Sequence, residues 1–237
     1  MFAIYKKEMR NYFTTPLGYV FMAMFLAVSG FMFALKTLQV PTADLSEFLK
    51  WMVYGYVVLI PVLTMRIFAE ERRTRTEQLL LTAPVSIWGM VFAKFLAAFT
   101  MFGGTILVGC LYYLTMFLYS DDGPNVAKAL GCFIAMVLIG MCFIAVGVFV
   151  SSLTESTVIA SLGTMAILLV FACIDRLRDI FNLPRALQTA VEWISVSSRY
   201  ENFRMGLFDY GDAVYYFSIT VVFLFLTVRI YESRRYA

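Results

Sequence analysis

Polar and charged positions along this chain are gathered into short blocks, and the apolar runs between them are long enough to cross a membrane. A helix of about twenty apolar residues spans a hydrocarbon core of roughly 30 Å. Windows of that length give six spans: Leu17–Leu35, Phe48–Met65, a long run from Ile87 to Tyr119, Lys128–Val150, Val158–Ile174 and Ala213–Val228. Thr14-Thr15-Pro16 reads as the start of the first, since a hydroxyl cap with proline in the first turn suits a helix N-terminus. Pro61 predicts a kink in the second. The third run would reach about 50 Å at 1.5 Å per residue, too long to span in full. Its first two turns are therefore expected at the interface, Trp88 anchoring and Lys94 snorkelling to water. The turn Ser151–Thr157 joins spans four and five, and Asp212 precedes the sixth.

Composition agrees with this pattern. The chain is 61% hydrophobic and 15% charged, with a mean hydropathy of +0.80, whereas soluble domains carry about 25% charge. The expected fold is a single all-α integral membrane domain over residues 1–237. Six spans put both termini on one side. Eleven basic residues then share that side: Lys6, Lys7, Arg10, Arg66, Arg72, Arg73, Arg75, Lys94, Arg229, Arg234 and Arg235. Eight fall on the other, so the positive-inside rule predicts cytoplasmic termini. Histidine is absent, which removes Ser-His and Cys-His dyads and histidine metal sites. Cys110, Cys132, Cys142 and Cys173 lie in apolar runs without CxxC spacing and read as packing residues. There is no P-loop, no metal-ligand cluster and no catalytic set, so neither an enzyme nor a bound cofactor is expected of this chain, and nothing points to nucleic acid.

One block stands apart. From Glu70 to Glu77 there are six charges in eight residues, followed by Leu79-Leu80-Leu81 and Pro84. Three arginines at mid-bilayer would cost roughly 7–10 kcal/mol, so the block lies outside the hydrocarbon. Glu71 and Arg75 are spaced as an i, i+4 pair on a helix. Glu70, Arg73, Thr74, Glu77 and Leu81 share one side, Pro84 stops the helix, and Ser86 is placed to cap the next. A solvated loop helix and a docking surface both fit this pattern.

The run Ile60-Pro61-Val62-Leu63-Thr64-Met65-Arg66-Ile67-Phe68-Ala69-Glu70-Glu71-Arg72-Arg73, with Thr76 through Ser86 after it, resembles the signature of ABC-2 type permeases, the membrane subunits of ATP-binding-cassette exporters. Within that group it looks most like the gliding-motility and nitrous-oxide-reductase-maturation branch. The resemblance implies type V exporter-like topology, with a coupling helix over 69–86 that rests on a separate ATPase. Glu70, Glu71, Arg72, Arg73, Thr76, Glu77, Leu80 and Pro84 would form that contact, and Glu70 and Glu71 would meet basic or donor groups of the ATPase. Residues 1–15 are similar to the family's amphipathic elbow helix. Phe2, Tyr5, Met9, Tyr12 and Phe13 fall within about a 100° arc, as suits a helix lying in an interface. Spans 1–2 would occupy 17–65, spans 3–5 residues 87–174, and span six with its tail 213–237.

The turn Ser151–Thr157, with Glu155, resembles the second ATPase contact, although a hydroxyl-capped turn describes it equally well. The connection 175–212 is similar to the extracytoplasmic re-entrant helices of these permeases: Leu183, Leu187, Val191 and Ile194 recur at helical spacing after Pro184. Arg199-Tyr200 departs from a His-Phe pair common in the branch. Where the family's pathway runs between two permease halves, Thr64, Ser161 and Thr164 would line it. Gly103, Gly104, Gly140, Gly147 and Gly163 suit close packing or a dimer seam. The resemblance also implies two copies of an ABC ATPase holding ATP and Mg, a second permease as homodimer or heterodimer, and room for an extracytoplasmic accessory protein. The setting it implies is the cytoplasmic membrane of a prokaryote. A scaffold that passes force to an outer partner without flux is the competing function.

Overall fold

Thr15 marks where the chain leaves one helix and enters the next, and a computed structural model shows the local reason. The structure describes residues 1–36, 46–78, 86–112, 114, 126–181, 200, 203 and 209–236. Helix α1 runs from Phe2 to Thr14, and Thr15 after it is extended at φ −97°, ψ 152°, as a residue before proline must be to clear the ring. Thr15 Oγ1 donates to Asn11 O at 2.8 Å and Thr14 Oγ1 to Arg10 O at 2.9 Å, so these hydroxyls close the end of α1 instead of capping the start of the next helix as the sequence suggests. Pro16 then opens α2, Pro16–Lys36, at a position where a missing N–H costs nothing.

The remaining helices are α3 (Ser46–Thr64), α4 (Ala69–Arg73), α5 (Ile87–Gly109), α6 (Val126–Leu153), α7 (Thr157–Phe181) and α8 (Tyr210–Tyr236). Among the described residues there is no strand. Six of these helices (α2, α3, α5, α6, α7 and α8) are long and apolar enough to cross a membrane. The fold is the expected all-α membrane domain. Its boundaries differ in detail. The long third run yields a helix of 23 residues, about 35 Å, from Ile87 to Gly109; beyond it residues 111, 112 and 114 are again helical, and 113 and 115–119 lie outside the described residues. Ser86 caps it, accepting from Gly89 N at 3.3 Å. Helix α7 continues past Ile174 to Phe181. The predicted helix with Pro184, Leu183, Leu187, Val191 and Ile194 lies outside the described residues.

Helix α6 is the centre of the bundle. Of its apolar window 67% is buried, as in α3, against 22% in α7 and 28% in α2 and α8, so the last three leave most of their apolar surface uncovered by the chain itself. Packing against α3, α5, α7 and α8 is possible because α6 presents small residues to its neighbours. Gly140 receives the Phe102 ring of α5 and Gly147 receives Thr64 of α3, and a Cβ at either glycine would collide with that neighbour. Since lipid supplies no hydrophobic drive between helices, such close approach is what holds them together. Gly103 and Gly104, by contrast, face no neighbour within 4 Å. Phe25, Tyr56 and Phe102 join α2, α3 and α5 with ring centroids 5.1–6.0 Å apart, each such pair adding about 0.5–1.5 kcal/mol.

Candidate functional site

The charged block lies at the end of the bundle where both termini meet. Pro61 precedes a turn over residues 65–68, and the chain re-enters helix at Ala69. The short α4 starts on a side chain from elsewhere in the fold. Ser151 Oγ, at the end of α6, accepts from Phe68 N at 3.1 Å and Ala69 N at 3.2 Å, and donates to Met65 O at 3.2 Å. One fully buried hydroxyl thus satisfies both sides of the turn, where unpaired backbone groups would each cost about 1–3 kcal/mol.

The segment expected as one helix over 69–86 is interrupted within its described part, 69–78. Helix α4 stops at Arg73, and Arg75 adopts φ 58°, the left-handed region that non-glycine residues seldom enter. Threonine hydroxyls close the end: Thr74 Oγ1 donates to Glu70 O at 2.9 Å, and Thr76 Oγ1 to Glu71 O at 3.4 Å. Helical geometry resumes at Glu77 and Gln78; Leu80, Leu81 and Pro84 lie outside the described residues. The expected Glu71–Arg75 pair is absent among the described residues, because the left-handed turn redirects Arg75.

Glu71 instead turns inward, into a cluster that spacing on one helix did not reveal. Lys94, from the second turn of α5, has no side-chain exposure. Its Nζ lies 2.9 Å from Glu71 Oε2 and 3.0 Å from Glu8 Oε1, and it donates to Ile67 O at 2.9 Å. The ammonium also sits 4.9 Å from the Phe68 ring centroid. Lys7 donates to the other Glu71 oxygen at 3.1 Å. Two cations and two carboxylates from α1, α4 and α5 balance one another, with Lys94, Glu8 and Glu71 largely shut off from water and Lys7 at the open rim. The snorkelling expected of Lys94 is therefore corrected: partners on both sides, and a free carbonyl in the 65–68 turn, hold it inside. Trp88 keeps an exposed face at 49% and lies against Phe225.

Helix α1 is aimed by the same cluster. Tyr5, Glu8 and Tyr12 form the inward stripe: Tyr5 Oη donates to Thr100 Oγ1 at 3.1 Å and Tyr12 Oη to Leu63 O at 3.3 Å. Phe2 and Phe13, from the same predicted apolar arc, stay exposed. Burial opposes the charge of Lys7, but attraction and a hydrogen bond from Glu71, with Glu8 beyond, outweigh it and raise its pKa above 10.5. Burial, then Glu8, pushes the Tyr12 phenol well above its usual range.

A second ionic cluster ties the block to the other two elements. Arg72 meets Glu155 at 2.9 Å and Glu77 at 3.7 Å, and donates to Leu153 O at 3.0 Å. Glu77 also meets Arg234 of α8 at 3.4 Å, and Arg234 donates to Ser152 O at 2.9 Å. Glu155, expected only in a second contact with the ATPase, is thus brought to the block itself, and Ser151, Lys94, Glu8 and Arg234 were not foreseen there either. Glu70 keeps a half-exposed carboxylate, 3.9 Å from Arg66. Arg73, Arg75, Thr76 and Gln78 are exposed.

The three proposed lining residues sit elsewhere. Thr64 and Thr164 are fully buried within the chain, their hydroxyls donating to Ile60 O at 3.0 Å and Ala160 O at 2.7 Å. Ser161 is half-buried and donates to Val158 O at 2.9 Å.

Comparison with known proteins reaches one result. The family model described as "ABC-2 family transporter protein" matches residues 2–234. No curated protein matches the chain.

Proposed function

From the premise that the chain belongs to the ABC-2 transporter family, and is therefore a multi-pass permease subunit that works with an ABC ATPase, we propose that residues 69–78 are where ATP-driven motion enters the membrane domain. The observation that supports this is the wiring of that one segment. Glu71 connects it to α1 and α5, Ser151 and Arg72 to the α6–α7 turn, and Glu77 to the end of α8. A push on α4 is resisted by four other helices at once, so it moves them rather than bending a loop. The end that bears the termini faces the cytoplasm in this reading. The working unit is two permeases with two ATPases that hold ATP and Mg. The first reaction is outward movement of a substrate.

The family match stops short of a branch, and nothing in the fold favours the gliding-motility and maturation branch over another. Reconstitution of the chain with its ATPase in proteoliposomes tests the proposal. Hydrolysis should be faster in the complex than in the ATPase alone, and replacing Arg72 by Ala should cut that stimulation while the complex stays assembled. Stimulation that survives loss of Arg72, with Glu155 and Glu77 also neutralised, would remove the segment from the coupling route. Force transfer without flux would show as stimulated hydrolysis with no ATP-dependent movement of any candidate substrate.

A further inference from the structure

The charges of the 69–78 block are not equally available to a partner. Glu71 is 14% exposed and engaged by Lys7 and Lys94; Glu77 is 14% exposed and engaged by Arg72 and Arg234. Glu70 leans back toward Arg66. Arg72 and Arg234 are held by carboxylates and by the carbonyls of Leu153 and Ser152. Arg73 and Arg75 remain: both are exposed, and neither forms an ion pair among the described residues. They line an open cleft of about 520 Å³ with Arg72, Arg234, Glu77 and Glu155, four guanidinium groups against two carboxylates. Arg75 is aimed there by the backbone, since its left-handed φ turns the chain between α4 and Glu77. Leu153, 53% exposed at the adjoining end of α6, adds an apolar spot beside the excess positive charge.

On the reading given above, we propose that the ATPase meets this cleft with carboxylates: an acidic helix or loop that pairs with Arg73 and Arg75 and covers Leu153. A basic docking face, which Glu70 and Glu71 suggest from sequence alone, would confront the unpaired arginines and find Glu71 already occupied. Guanidinium forks pair best with carboxylates, in two parallel hydrogen bonds. An occupant that pairs with both guanidinium groups and covers Leu153 in the same contact suits a folded protein surface, and the nanodisc comparison below separates it from an anionic lipid.

The test uses the intact complex of full-length chain and co-expressed ATPase in nanodiscs. Carbodiimide joins an amine to a carboxylate in direct contact. In the doubly substituted R73K/R75K chain it should therefore link position 73 or 75 to an Asp or Glu of the ATPase, readable by mass spectrometry. The R73E/R75E chain should run normally on size exclusion, because both side chains are exposed, yet bind the ATPase roughly a hundredfold more weakly, since like charges placed face to face cost several kcal/mol. Unchanged affinity in R73E/R75E would overturn the proposal. So would carbodiimide links from the introduced glutamates to ATPase lysines. A defect present in phosphatidylglycerol nanodiscs and absent from phosphatidylcholine ones would assign the arginines to lipid instead. If the unsubstituted chain holds no ATPase at all, the functional reading falls, and not merely the sign of the partner's charge.

Discussion

Lys94 Nζ and Glu71 Oε2 lie 2.9 Å apart at the junction of α5 and α4, with the lysine side chain wholly buried. Glu8 takes the same ammonium from the side of α1, so the pair is the core of a three-helix contact. Removing one member of a buried pair strands the others, which typically costs about 3–5 kcal/mol. Lys94→Met should therefore destabilise the chain by about that amount, leaving Glu8 and Glu71 facing each other. Thermal unfolding in mild detergent measures it. Glu71→Gln should lose less, because Glu8 and Ile67 O still hold the lysine. A Lys94→Met chain as stable as the unsubstituted one would show the cluster to be solvated.

Gly147 and Thr64 give a test of packing rather than charge. The threonine occupies the space a Cβ at position 147 would need, and overpacking typically costs about 1–3 kcal/mol. Gly147→Ala should destabilise within that range, and Thr64→Ala in the same chain should recover much of the loss. Additive effects of the two substitutions would mean that α3 and α6 do not meet there. The same measurement bears on Thr64 as a pathway residue. Its hydroxyl is satisfied by its own helix, so substrate movement should respond to its volume more than to its polarity.

How far the sequence could be read follows from what each pattern depends on. Six apolar runs bounded by polar blocks specify six helices, because lipid permits little else, and Thr14-Thr15-Pro16 and Ser86 mark helix ends through local chemistry alone. Family resemblance marked Glu155 for a contact with the ATPase, but its pairing with Arg72 joins residues 83 apart in sequence and was not legible from spacing. Glu8 and Lys94 were missed because 86 residues separate them and each, viewed locally, has an ordinary surface explanation. The signal was nonetheless present: an ionisable residue within an apolar run asks for a buried partner, and Glu8 sits on the same stripe of α1 as Tyr5 and Tyr12. The stop at Arg73 was not legible. Nothing in Glu70–Glu77 breaks a helix by propensity, and it is Ser151, Lys94 and Arg234, from three other helices, that fix the segment's path.

The Lys7–Glu71 contact has a defined pH dependence. The folded-state pKa of Lys7 is raised above 10.5, with burial opposing its charge and Glu71 outweighing that effect. Its contribution is thus complete below 10.5 and is lost only as pH climbs through the raised folded value. Docking of α1, followed by a fluorophore on that helix, should be indifferent to pH from neutral to mildly alkaline as far as Lys7 is concerned, and should weaken in strong alkali. Lys7→Met should abolish that alkaline contribution, and the effect in neutral buffer should be modest, about 1 kcal/mol or less, because the lysine is 58% exposed.

Arg75 allows stability and coupling to be separated. Its φ of 58° costs a non-glycine residue roughly 1–2 kcal/mol, while asparagine, whose short polar side chain bonds locally, enters that region more readily. The arginine is exposed and pairs with no carboxylate among the described residues, so the folded chain gains little from its side chain. Arg75→Asn should therefore leave thermal stability unchanged or raise it by up to about 1 kcal/mol. If the guanidinium is what the ATPase grips, the same substitution should weaken ATPase binding and lower stimulated hydrolysis. Arg75→Lys isolates the charge: it keeps the cation and the backbone strain, so binding should be partly retained with no gain in stability. A stability gain in Arg75→Asn accompanied by full ATPase coupling would mean that the left-handed turn serves only to end α4. A loss of coupling with unchanged or greater stability has no structural explanation within the chain itself, and leaves a partner surface as the place where this strained arginine acts.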